Sequence, residues 1–252
     1  MKIFAVSDIH GFYDEMKVAL DKAGFEPNNS NHLLVGCGDY FDRGPKNLEV
    51  LQYLSTIKNK VLIRGNHEDL LVDCCYRKEA YYHDERNGTA DTIKEISRAA
   101  EGCSFAQSCD RTLARVSLFL DSMVDYFETE NYIFVHSFIP LTCKDNKPFH
   151  YISDREFEFN PEWRSANERD WEQARWGDPY DLIDKGFLPN KTLVFGHWHC
   201  SAGWAKALNR TEFGEDAVFS PFYGNGFISI DACTAYTKKV NVVVIEDNLI
   251  KE

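Results

Sequence analysis

Three short clusters in the first third of the chain carry side chains suited to holding cations and moving protons. They are Ser7-Asp8-Ile9-His10-Gly11, Gly38-Asp39-Tyr40-Phe41-Asp42-Arg43-Gly44 and Arg64-Gly65-Asn66-His67-Glu68. Two histidine clusters follow, His136-Ser137-Phe138 and Gly196-His197-Trp198-His199. Carboxylate, imidazole and amide oxygen together suit borderline or hard divalent ions such as manganese, iron or zinc. No thiolate belongs to these clusters, which disfavours a structural zinc site. The donors outnumber what one ion needs; two ions about 3.5–4 Å apart, sharing one carboxylate, would use them. Gly-Asp-x-x-Asp-Arg-Gly arises by composition alone in on the order of one chain in ten thousand. Asp8-x-His10 is weak by itself, and the weight lies in the three clusters occurring in order.

Each cluster must be placed by the element before it. Residues 2–7 read as a strand. Residues 13–23 have helical spacing, with Met16, Leu20 and Ala23 on one stripe and Gly24 as the stop. Residues 32–37 are a second strand, and Pro45 opens a helix continued by Leu48, Leu51 and Leu54. Residues 60–64 are a third strand, with a helix from near His67. This β-α-β-α-β order predicts a parallel sheet with crossover helices. Residues 131–135 and 191–195 read as strands ending at His136 and at Gly196-His197. The tail, residues 226–231 and 239–246, reads as an antiparallel hairpin. Five strand ends thus deliver donors to the carboxyl edge where α/β sheets bind ligands. Residues 79–122 (polar, helical) and 140–188 (rich in aromatics, broken by Pro140, Pro148, Pro161 and Pro179) read as insertions within one domain spanning 1–252.

Of 252 residues, 28 are Lys or Arg and 40 are Asp or Glu, a formal charge of −12. That balance argues against a nucleic-acid partner held by a basic face and against anionic membranes. No apolar run is long enough to span a bilayer, and the N-terminus lacks a signal-peptide pattern, so a cytoplasmic chain is expected. The eight cysteines form no C-x-x-C pair and read as reduced thiols, Cys200 among them.

These motifs resemble the calcineurin-like metallophosphoesterases, and more narrowly the PPP-type serine/threonine protein phosphatases of bacteria and phages. The resemblance is dense over residues 1–70 and continues through the two histidine clusters. It implies a two-sheet α/β/β/α sandwich with a dinuclear metal centre. By motif, Asp8, His10 and Asp39 would take the first ion. Asp39 would bridge to a second, also held by Asn66, His136 and His197. His67, oriented by Asp42, would protonate the leaving oxygen, and Arg43 would grip the phosphate. Manganese is the first expectation for the metal, with iron or zinc also suited. The implied reaction is direct hydrolysis of a phosphomonoester by a hydroxide bridging the ions, on a phosphorylated protein or small phosphoester. Physical chemistry agrees with these roles: a carboxylate-paired imidazolium can donate the proton, and a planar guanidinium matches phosphate oxygens.

Some positions stay open. His199 is a ligand in the wider superfamily but not usually in the narrower family. Ser137 stands where the family usually has a small Gly or Ala. Arg175 is the candidate second phosphate arginine, with Arg164 and Arg169 as rivals and a surface ion pair as the alternative for each. His32, His83 and His150 lie outside the motifs and read as surface or packing residues. Trp163, Trp171, Trp176, Trp198 and Trp204 line a substrate groove or pack an insertion. Arg43-Gly44-Pro45 also resembles dinucleoside polyphosphate (diadenosine tetraphosphate) hydrolases; Asp42 weighs against the symmetrical type and leaves the asymmetrical type open. A nuclease fits the charge less well. A non-catalytic metal-binding regulatory module is the alternative from another class.

Overall fold

The computed structural model describes residues 1–144 and 156–250. The elements are β1 (Lys2–Val6), α1 (Tyr13–Ala23), β2 (His32–Cys37), α2 (Asn47–Thr56), β3 (Lys60–Ile63) and α3 (Asn66–Arg77). Next come α4 (Tyr82–Asn87), α5 (Thr89–Ser97), α6 (Phe105–Asp121), β4 (Tyr126–Glu128), β5 (Tyr132–Val135), β6 (Thr142–Cys143) and β7 (Phe157–Glu158). The remainder is α7 (Glu168–Ala174), α8 (Pro179–Asp184), β8 (Thr192–His199), α9 (Cys200–Leu208), β9 (Phe222–Gly224), β10 (Phe227–Asp231), α10 (Thr234–Thr237) and β11 (Val243–Glu246).

The strands build two main sheets, ordered β11-β1-β2-β3 and β4-β5-β8-β10-β9. β1, β2 and β3 are parallel, as are β5, β8 and β10. Alternation along the strands explains the layering. Ile3 and Ala5 of β1 point into an inter-sheet core with Val35, Phe134, Val194 and Ile230. Phe4 and Val6 point the other way, onto Met16, Leu20, Leu51 and Ile93 of the helices. On the far side Ile133, Val135 and Phe195 meet Trp163, Trp171, Tyr180 and Leu182. The result is the expected α/β/β/α sandwich, each sheet buried on both faces.

Local signals account for the element ends. Gly24 closes α1 at φ 80°. Ser104 and Gln107 cap α6 reciprocally. Asp178 accepts from the Tyr180 and Asp181 amides ahead of Pro179.

Three details differ from the sequence reading. α2 starts at Asn47 rather than Pro45, because the Asn47 side chain accepts from the Asp42 amide and donates to Gly44 O, closing the preceding loop. β8 does not stop at Phe195 but runs on through His199. The tail is not a hairpin: β10 pairs with β8 and β9, while β11 pairs antiparallel with β1 in the other sheet. α10 intervenes, and the alternating burial of β11 fits an edge strand whereas β10 is buried throughout. His150 and Pro148 lie outside the described residues. Among the described residues no helix is long and apolar enough to cross a membrane. Cys37, Cys74, Cys75, Cys109 and Cys200 are buried thiols.

Candidate active site

The carboxyl ends of both sheets meet at one place, and hydrogen bonds between loops hold them there. Asp8 N donates to Gly38 O at 3.1 Å and His10 N to Asp39 O at 3.0 Å, joining the loops after β1 and β2. Gly196 N donates to His136 O at 2.8 Å, and His197 N to Asp8 Oδ2 at 2.9 Å, which ties the two sheets together. Asp8, His10, Asp39, Asp42, Arg43 and His197 all sit in the left-handed region, with φ between 49° and 73°. Left-handed backbone costs an L-residue about 1–2 kcal/mol, and such strain clusters at functional sites.

Asp39 lies between two groups of donors. Its Oδ1 is 3.4 Å from His136 Nε2, which is 2.8 Å from Asn66 Oδ1 and 3.1 Å from His197 Nδ1. Its Oδ2 is 3.6 Å from His10 Nε2, itself 4.0 Å from Asp8 Oδ1. The ligand atoms of Asp39, His136 and His197 lie close enough to hold one ion, as do those of His10, Asp39 and His67. The ring tautomers suit that task. Nδ1 of His10 lies 2.8 Å from Phe41 O, and Nδ1 of His136 lies 2.8 Å from Cys37 O. Each backbone carbonyl takes the Nδ1 proton and leaves the Nε2 lone pair facing inward.

The electrostatics divide the histidines. Burial lowers the pKa of His10 and of His136, and takes His197 down to about 3, so all three are neutral imidazoles at pH 7. Burial opposes the charge on His67 too, but Asp39 and then Asp42 outweigh it and its pKa rises. Burial and the charges of Asp231 and Asp39 push the Asp8 carboxyl well up. Burial also raises Asp39, but in acid, where the rings around it take up protons, His136, His67, His10 and His197 favour its anion and pull its pKa well below the usual carboxylate range. Buried carboxylates facing neutral nitrogen lone pairs form a donor set that fits divalent cations, which would offset the crowded negative charge.

His67 Nδ1 is 2.7 Å from Asp42 Oδ2. Thr89 and Thr92 of α5 donate to Oδ2 and Oδ1 of Asp42 at 2.6 and 2.8 Å. Helix α5 therefore fixes the carboxylate that faces His67 Nδ1. Arg43 reaches back over both rings, with Nη1 2.8 Å from His10 Nε2 and Nη2 3.0 Å from His67 Nε2.

Three supporting residues, Thr89, Thr92 and Asp231, escaped the sequence reading, which places Glu68 in a motif without a role of its own. Glu68 accepts from the backbone amides of Asp39, Tyr40 and Gly65 at 2.9–3.0 Å and so pins the Asp39 turn. Thr89 and Thr92 lie 47 and 50 positions from Asp42, and no local pattern marks them. Asp231 ends β10 beside Asp8, and burial lifts its pKa to about 7. It carries the same signal as the other strand ends, an acidic residue closing an apolar run.

His199 stands apart from the donor groups, with Nδ1 2.5 Å from Glu212 Oε1 and its ring against Phe213. Arg175 is buried and committed to carboxylates: Nη1 donates to Asp69 at 2.8 Å and Nη2 to Asp125. A phosphate there has to displace one of them. Arg164 forms a surface pair with Glu128, and Arg169 is exposed. His32 packs against Phe4 and Phe25, and His83 pairs with Asp84. Trp163 and Trp171 are core residues packed on Tyr126, and Trp204 donates to Ser220 O. Trp176 alone of the five is exposed, at 42%, with its ring centroid 6.3 Å from that of His197.

Residues 1–201 match the family model for calcineurin-like phosphoesterases, and the chain belongs to that family. A curated relative, a symmetrical bis(5'-nucleosyl)-tetraphosphatase of Buchnera aphidicola subsp. Acyrthosiphon pisum (strain Tuc7), is 34% identical over 102 residues, 38% of this chain and 36% of its own. The match thus spans little more than a third of that relative's length. It runs to the symmetrical type, contrary to the expectation placed on Asp42. Among solved structures, one described as a putative diadenosine tetraphosphatase superposes with TM-score 0.54 at 15% identity, covering 97% of this chain and 89% of that one. A protein serine/threonine phosphatase from Saccharomyces cerevisiae gives TM-score 0.54 at 15% identity, covering 100% of this chain and 81% of that one. At those identities the superpositions speak to the fold.

Proposed function

We propose that this chain is a metal-dependent hydrolase of dinucleoside polyphosphates, acting on a dinucleoside tetraphosphate. The observation that carries the phosphoesterase chemistry is the placement of Asp39, one oxygen toward His136, Asn66 and His197 and the other toward His10 and Asp8. The substrate class is supported by the tetraphosphatase relatives. Pairing of β11 with β1 supports reading residues 1–252 as one domain.

Asp8, His10 and Asp39 would hold one divalent ion, and Asp39, Asn66, His136 and His197 a second; manganese, iron and zinc all suit these atoms. When bound, the pair supplies Lewis acidity toward the phosphoryl oxygens and a nucleophile from water at neutral pH. The protein's own residues do the rest. Arg43 turns from the two imidazoles onto the non-bridging oxygens, where its fork matches their geometry. His67, held by Asp42, presents a proton on Nε2 toward the departing oxygen.

The test is turnover of diadenosine tetraphosphate with added manganese, with nucleotide products separated by chromatography. ADP as the sole product is expected. A second reading, a protein serine/threonine phosphatase, is favoured by the His67–Asp42 pair, because a serine alkoxide needs a proton far more than a departing nucleotide phosphate does. A phosphoserine peptide assayed alongside decides between them. Turnover of the peptide without turnover of the dinucleotide overturns the primary reading.

A further inference from the structure

A cleft of about 670 Å³ opens beside Arg43, between the start of α1, the loop leading into α2, the start of α5 and the end of α10. It lies within the range of small-ligand pockets. Arg43 belongs both to this cleft and to the candidate centre, since its guanidinium touches His10 and His67. The cleft therefore adjoins the candidate centre at Arg43.

The charged side chains of the cleft are unequally committed. Lys46 is bound to Asp14 at 2.5 Å. Lys238 has no carboxylate partner among the described residues. Its ammonium donates to Ala235 O at 2.7 Å and lies 4.4 Å from the centroid of the Phe12 ring. Lys238 is exposed and lines the same cleft as Arg43. Asp91 and Glu95 also line the cleft, but Asp91 pairs with Lys94 at 3.0 Å and Glu95 accepts from Asn47 and the Leu48 amide, which leaves Glu15 as a carboxylate suited to ribose hydroxyls and unsuited to more phosphate, beside the half-buried Tyr13 ring.

We infer that this cleft is the subsite for the departing nucleoside diphosphate, with Lys238 as the cation that binds its phosphate beyond the one held by Arg43. The inference rests on the dinucleotide reading above and names the half of the substrate that lies on this side of the centre. Lys238 here determines specificity and has no part in the bond cleavage.

The test is calorimetric titration of ADP into manganese-loaded protein, for the wild type, Lys238→Glu, Lys238→Arg and the control Lys22→Glu on the exposed face of α1. Lys238 is exposed, so the variants should fold, and circular dichroism checks that they do. A single charge-assisted phosphate contact predicts at least a tenfold weakening for Lys238→Glu. Lys238→Arg should stay within about threefold and Lys22→Glu should not change. Absence of ADP binding by the wild type, or equal affinity in Lys238→Glu, overturns the subsite. The same proteins are assayed on diadenosine tetraphosphate. If ADP binding depends on Lys238 while the dinucleotide is not cleaved, the subsite stands and the substrate reading falls. If the dinucleotide is cleaved with a KM indifferent to Lys238→Glu, the reverse holds.

Discussion

Replacing Asp42 by Asn keeps the shape of the site and removes one charge. The Asp42 carboxylate is fully buried and accepts three hydrogen bonds, from His67 Nδ1, Thr89 and Thr92, at 2.6–2.8 Å. The two hydroxyls can rotate to accept from an amide, but the imidazolium of His67 loses the anion that faces it. A hydrogen bond to a charged group contributes about 1.5–3 kcal/mol, and 1.36 kcal/mol is a factor of ten, so the loss is roughly 10- to 150-fold. That loss applies only where the departing group needs the proton. kcat/KM for a phosphoserine peptide or phenyl phosphate should fall by this factor, while p-nitrophenyl phosphate, whose leaving group departs as an anion, should change little. The pH profile gives an independent sign. Burial works against the His67 charge, Asp39 and Asp42 raise its pKa against that, and the acid form is lost as pH rises through it. Without Asp42 the pKa falls, so the alkaline limb moves to lower pH. Equal losses on all three substrates, or an alkaline limb that stays in place, would refute the assignment of His67 as acid and Asp42 as its orienting partner.

Three further perturbations probe other parts of the site. Asp39→Asn removes the carboxylate shared by the two donor groups; elemental analysis should show bound metal falling from two ions to one or fewer, with turnover reduced by about 10³ or more. Gly65→Ala drives a methyl group into Asp39 Oδ1 and against the Asp39 amide. Overpacking of this kind costs about 1–3 kcal/mol, so Tm should drop by roughly 2–10 °C by calorimetry. Trp176→Ala removes the exposed ring beside His197. If a nucleobase stacks there, KM for diadenosine tetraphosphate should rise about tenfold, with p-nitrophenyl phosphate kinetics unaltered and Trp176→Phe restoring most of the affinity.

The sequence made the donor groups legible because each lies at or just past the carboxyl end of an apolar strand, and parallel strands have one way to aim those ends. Asp8, Asp39, Asn66, His136 and His197 converge for that reason. Where side chains are positioned by long-range pairing, the sequence is silent. Arg175 follows a helical stretch and precedes Trp-Gly-Asp-Pro, which says nothing of Asp69 and Asp125, the carboxylates that claim it. His199 shares its strand with His197 and lies on the same face by alternation, yet its ring turns to Glu212. The tail misled for a related reason. An alternating strand announces that one face is buried but not which sheet buries it, and β11 crosses to β1 because α10 carries the chain away from β10.

Helix α5 joins the helix-side core to the candidate site. α5 buries Ile93 and Ile96 in the helix-side core, which fixes the rotation of the helix about its axis. That rotation places Thr89 and Thr92, three positions apart and therefore neighbours on one face, over Asp42. The same helix sends Glu95 to the Asn47 side chain and the Leu48 amide, while Asn47 holds the Asp42 amide. Asp42 is thus gripped at its carboxylate by two hydroxyls of α5 and at its backbone by Asn47 of α2, which Glu95 of α5 holds in turn. This explains how a non-glycine residue at φ 73° persists there. It also explains why His67, at the start of α3, finds a fixed anion: the hydrophobic contacts of α5 hold the carboxylate that faces its Nδ1.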